Sequence, residues 1–209
     1  MIILSHRGYW KDATEKNLPV AFGRSFDLGF GTETDVRDVA GKLVISHDMP
    51  RGDELSLEDM LDILAGRDLP MAMNIKADGL AKMLAQAMVA RGLTRWFTFD
   101  MSVPETLVQL RMGLPVFTRA SEYERTPACY EQATGVWVDD FGANWVQPSD
   151  IRAFLADGKQ VCIVSPELHK REPEVFWQAL RQDGLVGAPG LMLCTDIPEA
   201  AVEFFGVGP

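Results

Sequence analysis

The chain has 209 residues, of which 47% are hydrophobic and 24% are charged, and it carries a net charge of −10. This composition is typical of a globular protein and excludes extensive disorder, and we expect one domain over residues 1–209. An acidic chain without a basic stripe is not expected to bind nucleic acid, because Lys and Arg would have to neutralise the phosphates. No apolar segment approaches membrane-spanning length, so we expect no integral membrane association.

The cysteines indicate a reducing compartment. Cys129, Cys162 and Cys194 lie far apart and lack the spacing of a metal site, and the last two fall inside apolar runs. We therefore interpret them as reduced residues of a cytoplasmic protein. The sequence gives no indication of an oligomeric state.

Short apolar runs recur along the whole chain. There are eight, at residues 2–4, 32–36, 71–75, 96–99, 115–118, 135–138, 160–164 and 190–194. Near-continuous apolarity is typical of parallel strands that are covered on both faces. Segments of helical periodicity separate the runs, as at residues 80–88, 151–155 and 176–180. This alternation predicts an α/β protein of the (β/α)8 TIM-barrel class, in which chemistry takes place at the C-terminal strand ends.

The first run, residues 2–4, is followed by Ser5 and then by His6-Arg7-Gly8. The glycine favours a sharp turn away from the strand, and the arginine is a suitable cation for a phosphate group. A loop histidine that only hydrogen-bonds a backbone carbonyl is the structural alternative for His6.

The second run carries Glu33 and Asp35, which are two residues apart. In an extended strand both carboxylates project to one face, where they could share a hard cation. The alternative is a solvated strand end, which is the more common reason for such a pair in general. The position of Glu33 and Asp35 in a strand whose core continues at Val36 favours the metal interpretation.

A turn around Gly41 follows, and the chain then returns through a second strand-like segment. If Asp38 faces Leu43, the returning segment places His47 opposite Thr34, beside the carboxylates. A register slip of one residue would turn His47 to the other face. Two histidines that flank one substrate can supply a general acid and a general base near neutral pH.

The ordered set of motifs resembles the glycerophosphodiester phosphodiesterases. The motifs are His6-Arg7-Gly8, Asn17 with Ala21-Phe22, Glu33-Thr34-Asp35, His47-Asp48 and Asn74-Ile75-Lys76, with the tightest match over residues 5–48. The resemblance implies a hydrolase of small soluble phosphodiesters, such as glycerophosphodiesters. It also implies roles for single residues: His6 and His47 as the acid-base pair, Arg7 and Lys76 as phosphate-binding residues, and Glu33, Asp35 and Asn74 as ligands of Mg²⁺ or Ca²⁺.

Two residues depart from the pattern of that family. Lys16 stands where the family has a glutamate, and Asn74 stands where it has a third carboxylate ligand. A neutral amide oxygen should bind a divalent cation more weakly than a carboxylate does. The alternatives are therefore a non-catalytic barrel that binds phosphate or sugar phosphate, and a lyase that releases a cyclic phosphate. Some members of the wider phosphatidylinositol phospholipase C-like superfamily use no metal.

Two smaller questions stay open at this stage. Asp48 either orients an imidazole or caps the next turn. His169 either contacts a substrate head group or is an ordinary loop residue.

Overall fold

The computed structural model describes all residues 1–209 and contains nine strands and seven α-helices. The strands are β1 Ile2–His6, β2 Gly31–Val39, β3 Lys42–Ile45, β4 Met71–Ile75, β5 Trp96–Phe99, β6 Phe117–Ala120, β7 Gly135–Val138, β8 Gln160–Val164 and β9 Leu191–Thr195. The helices are α1 Pro19–Asp27, α2 Leu57–Leu64, α3 Ala81–Ala90, α4 Val103–Arg111, α5 Pro148–Ala156, α6 Glu174–Gln182 and α7 Pro198–Phe205. None of the helices is long and apolar enough to span a membrane.

The strand order confirms the predicted fold class. Hydrogen bonding follows the order β5-β4-β2-β1-β9-β8-β7-β6, and β3 pairs with β2 outside this path. The pairings of β2 with β4, β4 with β5, β6 with β7, β7 with β8 and β8 with β9 are all parallel. Eight such strands with helices between them form a (β/α)8 TIM barrel.

Seven predicted runs overlap their strands closely, whereas the run at 115–118 lies early. The observed strand β6 begins at Phe117, and only an isolated bridge joins Val116 to Thr98. Pro115 has no backbone N–H to donate to a ladder, although its carbonyl accepts a hydrogen bond from the Thr98 N–H at 2.9 Å.

Residues 5–116 form one compact unit. Its strands β2, β4 and β5 are parallel, with Asp35 opposite Asn74 and Asn74 opposite Phe99. The core contains fully buried side chains from α1, α2, β4 and α3, among them Phe22, Phe26, Met60, Met73 and Leu84. This packing holds the strand ends that carry the predicted site.

The β2–β3 ribbon has the predicted register. Asp38 lies opposite Leu43, and Val36 lies opposite Ile45. Ala40 and Gly41 both have positive φ angles, 48° and 77°, as a tight hairpin turn requires. Pairing continues one residue past β3, where the Ser46 N–H donates to the Asp35 carbonyl at 3.0 Å. His47 therefore follows a segment whose register is fixed.

Residues 1–4 and 117–209 form the other compact unit. Strands β6 to β9 lie in sequence order in the sheet. Cys162 and Cys194 are buried within β8 and β9, and both are unbonded to another cysteine, as is the partly exposed Cys129. Trp177 and Leu180 of α6 are also buried.

Candidate active site

The turn that ends β1 depends on glycine. Arg7 and Gly8 both have positive φ angles, 58° and 78°, so the chain leaves the strand abruptly. A Cβ atom on Gly8 would lie 2.8 Å from the backbone carbon of Ala21, at the first turn of α1. The Gly8 N–H donates to Thr32 Oγ1 at 3.0 Å, and the Arg7 N–H donates to the Glu33 carbonyl at 2.9 Å. This close approach fixes the positions of His6 and Arg7 beside β2.

Asp35 lies at the centre of a buried group of polar side chains, which we call the Asp35 cluster and which comprises Arg7, Asn17, Asp35 and Lys76. Arg7 Nε lies 2.9 Å from Asp35 Oδ2, and Lys76 Nζ lies 3.4 Å from Oδ1. The Asn17 amide also donates to Oδ2, at 2.9 Å, and accepts from the Thr34 hydroxyl at 2.9 Å. Asp35 itself has no exposed surface, so two cations surround one fully buried anion.

Glu33 lies on the same face of β2 and has a different electrostatic environment. Its burial, followed by repulsion from Asp35, raises the pKa of Glu33 to about 8, although Arg7 and Lys76 oppose the shift. The Asn74 amide also hydrogen-bonds Glu33, and His6 Nε2 lies 3.8 Å from Glu33 Oε2. At neutral pH Glu33 is therefore mainly protonated in the metal-free protein.

The predicted ligands Glu33, Asp35 and Asn74 lie on adjacent strands, and one oxygen atom of each fits a hard cation. Glu33 Oε2, Asp35 Oδ1 and Asn74 Oδ1 are all buried, and none of them accepts a hydrogen bond. Two carboxylate oxygens and an amide oxygen are the donors that Mg²⁺ or Ca²⁺ prefers. No group of three His, Cys, Asp or Glu side chains is placed to hold a metal ion, and Asn74, the third predicted ligand, is not one of these residue types.

His47 is held by its neighbour. His47 Nδ1 and Asp48 Oδ1 lie 2.9 Å apart, and this hydrogen bond lowers the pKa of Asp48. Asp48 therefore orients the imidazole, which settles the question left open by the sequence. Donation from Nδ1 to the carboxylate leaves Nε2 as the nitrogen that can exchange a proton with a substrate. The His47 side chain is 49% exposed, as a group that meets substrate from solvent should be.

Arg37 is a positioning residue that the sequence analysis did not identify. Its Nε donates to the His47 carbonyl at 3.2 Å, and its Nη1 donates to the Lys76 carbonyl at 3.0 Å. Arg37 thereby links the segment that carries His47 to the segment that carries Lys76. The sequence could have identified Arg37 by its position on β2, because it lies two residues beyond Asp35 and therefore on the same face of the strand.

The unit formed by residues 1–4 and 117–209 contains a separate histidine–carboxylate pair. His169 Nε2 lies 2.7 Å from Asp139 Oδ1, and this hydrogen bond raises the pKa of His169. Asp139 follows β7 and His169 follows β8, so two neighbouring parallel strands bring them together. The ring of Phe141 contacts His169 edge-on, with centroids 5.1 Å apart. From the sequence, His169 was either a contact to a substrate head group or an ordinary loop residue, and its pairing with Asp139 was not predicted.

No family model and no curated protein sequence matches the chain. Several solved structures do match it. The glycerophosphodiester phosphodiesterase of Agrobacterium tumefaciens superimposes with a TM-score of 0.72 over 99% of this chain and 100% of its own, at 16% identity. A candidate glycerophosphodiester phosphodiesterase of Galdieria sulphuraria gives a TM-score of 0.78 over 99% and 98% of the two chains, at 16% identity. The chain has the fold of the glycerophosphodiester phosphodiesterases.

A third structure with this fold is an Oleispira antarctica phosphodiesterase, solved in complex with the product sn-glycerol-3-phosphate. Its TM-score is 0.69 over 99% of this chain and 97% of that chain, at 14% identity. At this level of sequence identity, the similarity shows that the chain and these phosphodiesterases share a fold. The candidate residues of this chain lie on β1, β2 and β4 or directly after them, toward the strand ends where barrel enzymes carry their active sites.

Proposed function

We propose that this chain is a phosphodiester hydrolase that acts on small soluble diesters such as glycerophosphodiesters. One observation carries the proposal: Asp35 is buried between Arg7 and Lys76, while His6 ends β1, the strand before it in the chain, and His47 follows β3, the strand after it. With Glu33 protonated, the Asp35 cluster and Glu33 together carry one more positive than negative charge. That balance suits a phosphodiester anion.

The two histidines would supply the proton transfers. His47 presents Nε2, because its Nδ1 is engaged by Asp48. His6 is mostly buried, with 15% of its side chain exposed, and its Nε2 faces the Glu33 carboxyl group. One imidazole would remove a proton from the attacking water and the other would protonate the departing alkoxide, and a positioned acid or base contributes about 10² to 10⁴ in rate.

Glu33, Asp35 and Asn74 would hold Mg²⁺ or Ca²⁺, which supplies positive charge to the phosphoryl oxygens when bound. Glu33 would first have to release its proton, and Lys76 would have to share Asp35 Oδ1. Asn74 contributes a neutral oxygen, so binding should be weaker than to three carboxylates. Arg7 and Lys76 would bind the phosphate group.

Product analysis tests this proposal. The chain would be incubated with glycerophosphodiesters and with bis(p-nitrophenyl) phosphate, in EDTA or with Mg²⁺, Ca²⁺ or Mn²⁺. We expect a phosphomonoester by phosphorus NMR, and a loss of at least about a hundredfold in turnover for both His6→Gln and His47→Gln with unchanged melting temperatures. Near-normal turnover in either variant would remove that histidine from the mechanism.

The same experiment separates two alternative functions. A cyclic phosphate as the final product would identify a lyase. Phosphate or glycerol phosphate that binds without any diester turnover would identify a non-catalytic binding protein. The latter alternative is favoured by one observation: Arg7 lies 2.9 Å from one Asp35 oxygen and Lys76 lies 3.4 Å from the other, so that two cations already neutralise this carboxylate.

A further inference from the structure

The loop between β1 and α1 spans residues 7–17, and its two end residues, Arg7 and Asn17, belong to the Asp35 cluster. We propose that Lys16 and Trp10 of this loop form a subsite for a second anionic group on the substrate, so that the preferred diester carries a phosphate monoester on one of its alcohols. The proposal rests on the proposed function, because it assigns the substrate class of that same site.

The loop is tied closely to the site. Its two ends are joined by the Asn17 N–H, which donates to the Arg7 carbonyl at 2.9 Å. The Asn17 side chain reaches Asp35, so the residue that follows Lys16 is part of the Asp35 cluster. Arg24 of α1 anchors the middle of the loop through Glu15, with Nη1 2.9 Å from Oε2. Lys16 therefore directly precedes a residue of the Asp35 cluster, in a loop that these contacts hold in place.

Lys16 and Trp10 lie together on this loop. Lys16 Nζ lies 4.4 Å from the centroid of the Trp10 ring, and both side chains are partly exposed. The Trp10 Nε1 atom is buried and has no hydrogen-bond acceptor. A buried N–H group without an acceptor is rare in folded proteins, and one next to an ammonium group indicates a place for an acceptor-only ligand. A phosphate monoester has that character, since it offers several oxygens and a charge of about −2.

The charge of residue 16 supports the same substrate class. The Lys16 ammonium group attracts a second anionic group on the substrate, in a protein whose net charge is −10.

A charge series of substrates tests the proposal. The substrates would be p-nitrophenyl phosphodiesters whose second alcohol is glycerol, choline or glycerol with a terminal phosphate. We expect kcat/KM to be highest for the phosphorylated diester. Lys16→Gln should lower the ratio of kcat/KM for the phosphorylated diester to that for the glycerol diester about tenfold, the value of one charged hydrogen bond. Trp10→Phe, which keeps the ring and removes the N–H, should lower the same ratio.

Lys11 provides the matched control. It belongs to the same loop and contacts the Tyr9 ring at 4.0 Å, but it is exposed. We expect Lys11→Gln to leave the ratio unchanged. An equal fall of the ratio in Lys11→Gln and Lys16→Gln would mean that the preference for the phosphorylated diester comes from the overall positive charge of the loop. That result would overturn the proposed subsite. A wild-type protein that does not prefer the phosphorylated diester would overturn it as well.

A binding measurement separates this proposal from the proposed function. If no diester is cleaved, calorimetric titration with glycerol 1-phosphate and glycerol 1,3-bisphosphate still tests the subsite. Tighter binding of the bisphosphate that is lost in Lys16→Gln supports the subsite while the hydrolase function fails. Equal affinities of the wild-type protein for the two compounds refute the subsite.

Discussion

The substitutions Asp35→Asn and Glu33→Gln should have opposite consequences for the stability of the protein. The two carboxyl groups lie two residues apart on one strand, and both are buried. Asp35 is an anion paired with Arg7 at 2.9 Å and Lys76 at 3.4 Å. Glu33 is mainly protonated at neutral pH, because burial raises its pKa to about 8. Asp35→Asn therefore removes a charge, whereas Glu33→Gln replaces one neutral group by another.

The expected loss of stability in Asp35→Asn follows from these contacts. Removal of one partner from a buried ion pair costs about 3–5 kcal/mol, because the remaining charge is left uncompensated. The side chains of Arg7 and Lys76 are each 21% exposed and keep some solvation, so we take the lower end, about 3 kcal/mol. For a protein of this size that is a fall of about 6–12 °C in melting temperature. For Glu33→Gln we expect little change near pH 4.5 and a higher stability than wild type at pH 7, because unfolding of wild type at pH 7 releases the Glu33 proton that the folded protein holds.

The dependence on pH adds a second test. The folded protein keeps the Glu33 proton up to a pKa of about 8, whereas the unfolded chain releases it near 4.5. The free energy of unfolding should therefore fall as the pH rises from 4.5 to 8, and Glu33→Gln should lack this component. Urea denaturation in EDTA at several pH values between 5 and 8 measures both effects. A Glu33→Gln protein that is as unstable as Asp35→Asn at pH 7, or that has the same pH slope as wild type, would refute the reasoning.

Three further predictions use other parts of the chain. Gly8→Ala should destabilise by about 3 kcal/mol or more, because its Cβ would meet Ala21, whereas Gly79→Ala, also at positive φ but with open space around it, should cost about 1–2 kcal/mol in urea denaturation. The raised pKa of His169 should make wild type more stable than His169→Gln below pH 6.5, with the difference lost as the pH rises through the folded value, in the same assay. Asn74→Glu should tighten Ca²⁺ binding about tenfold by calorimetry, and equal affinities would show that Asn74 does not contact the ion.

The sequence alone predicts most of the scaffold of the site. The apolar runs were sufficient to predict the parallel strands and the barrel class, because strands that are buried on both faces must be almost continuously apolar. The spacing of Asp38 and Leu43 around Gly41 predicted the register of the ribbon, which the structure confirms. A hairpin register is a local property set by a short turn, so a short stretch of sequence contains the information.

The protonation and pairing of the side chains were decided by the tertiary structure. The sequence shows two acidic residues that are two positions apart on one strand and gives no reason to distinguish them. In the folded protein, Asp35 is paired with cations, whereas burial makes Glu33 a protonated acid. The partners of Asp35 are Arg7 and Lys76, which lie 28 and 41 residues away in the chain. Such contacts exist only after β1, β2 and β4 have assembled, and the desolvation that shifts a pKa arises from the packed core as a whole.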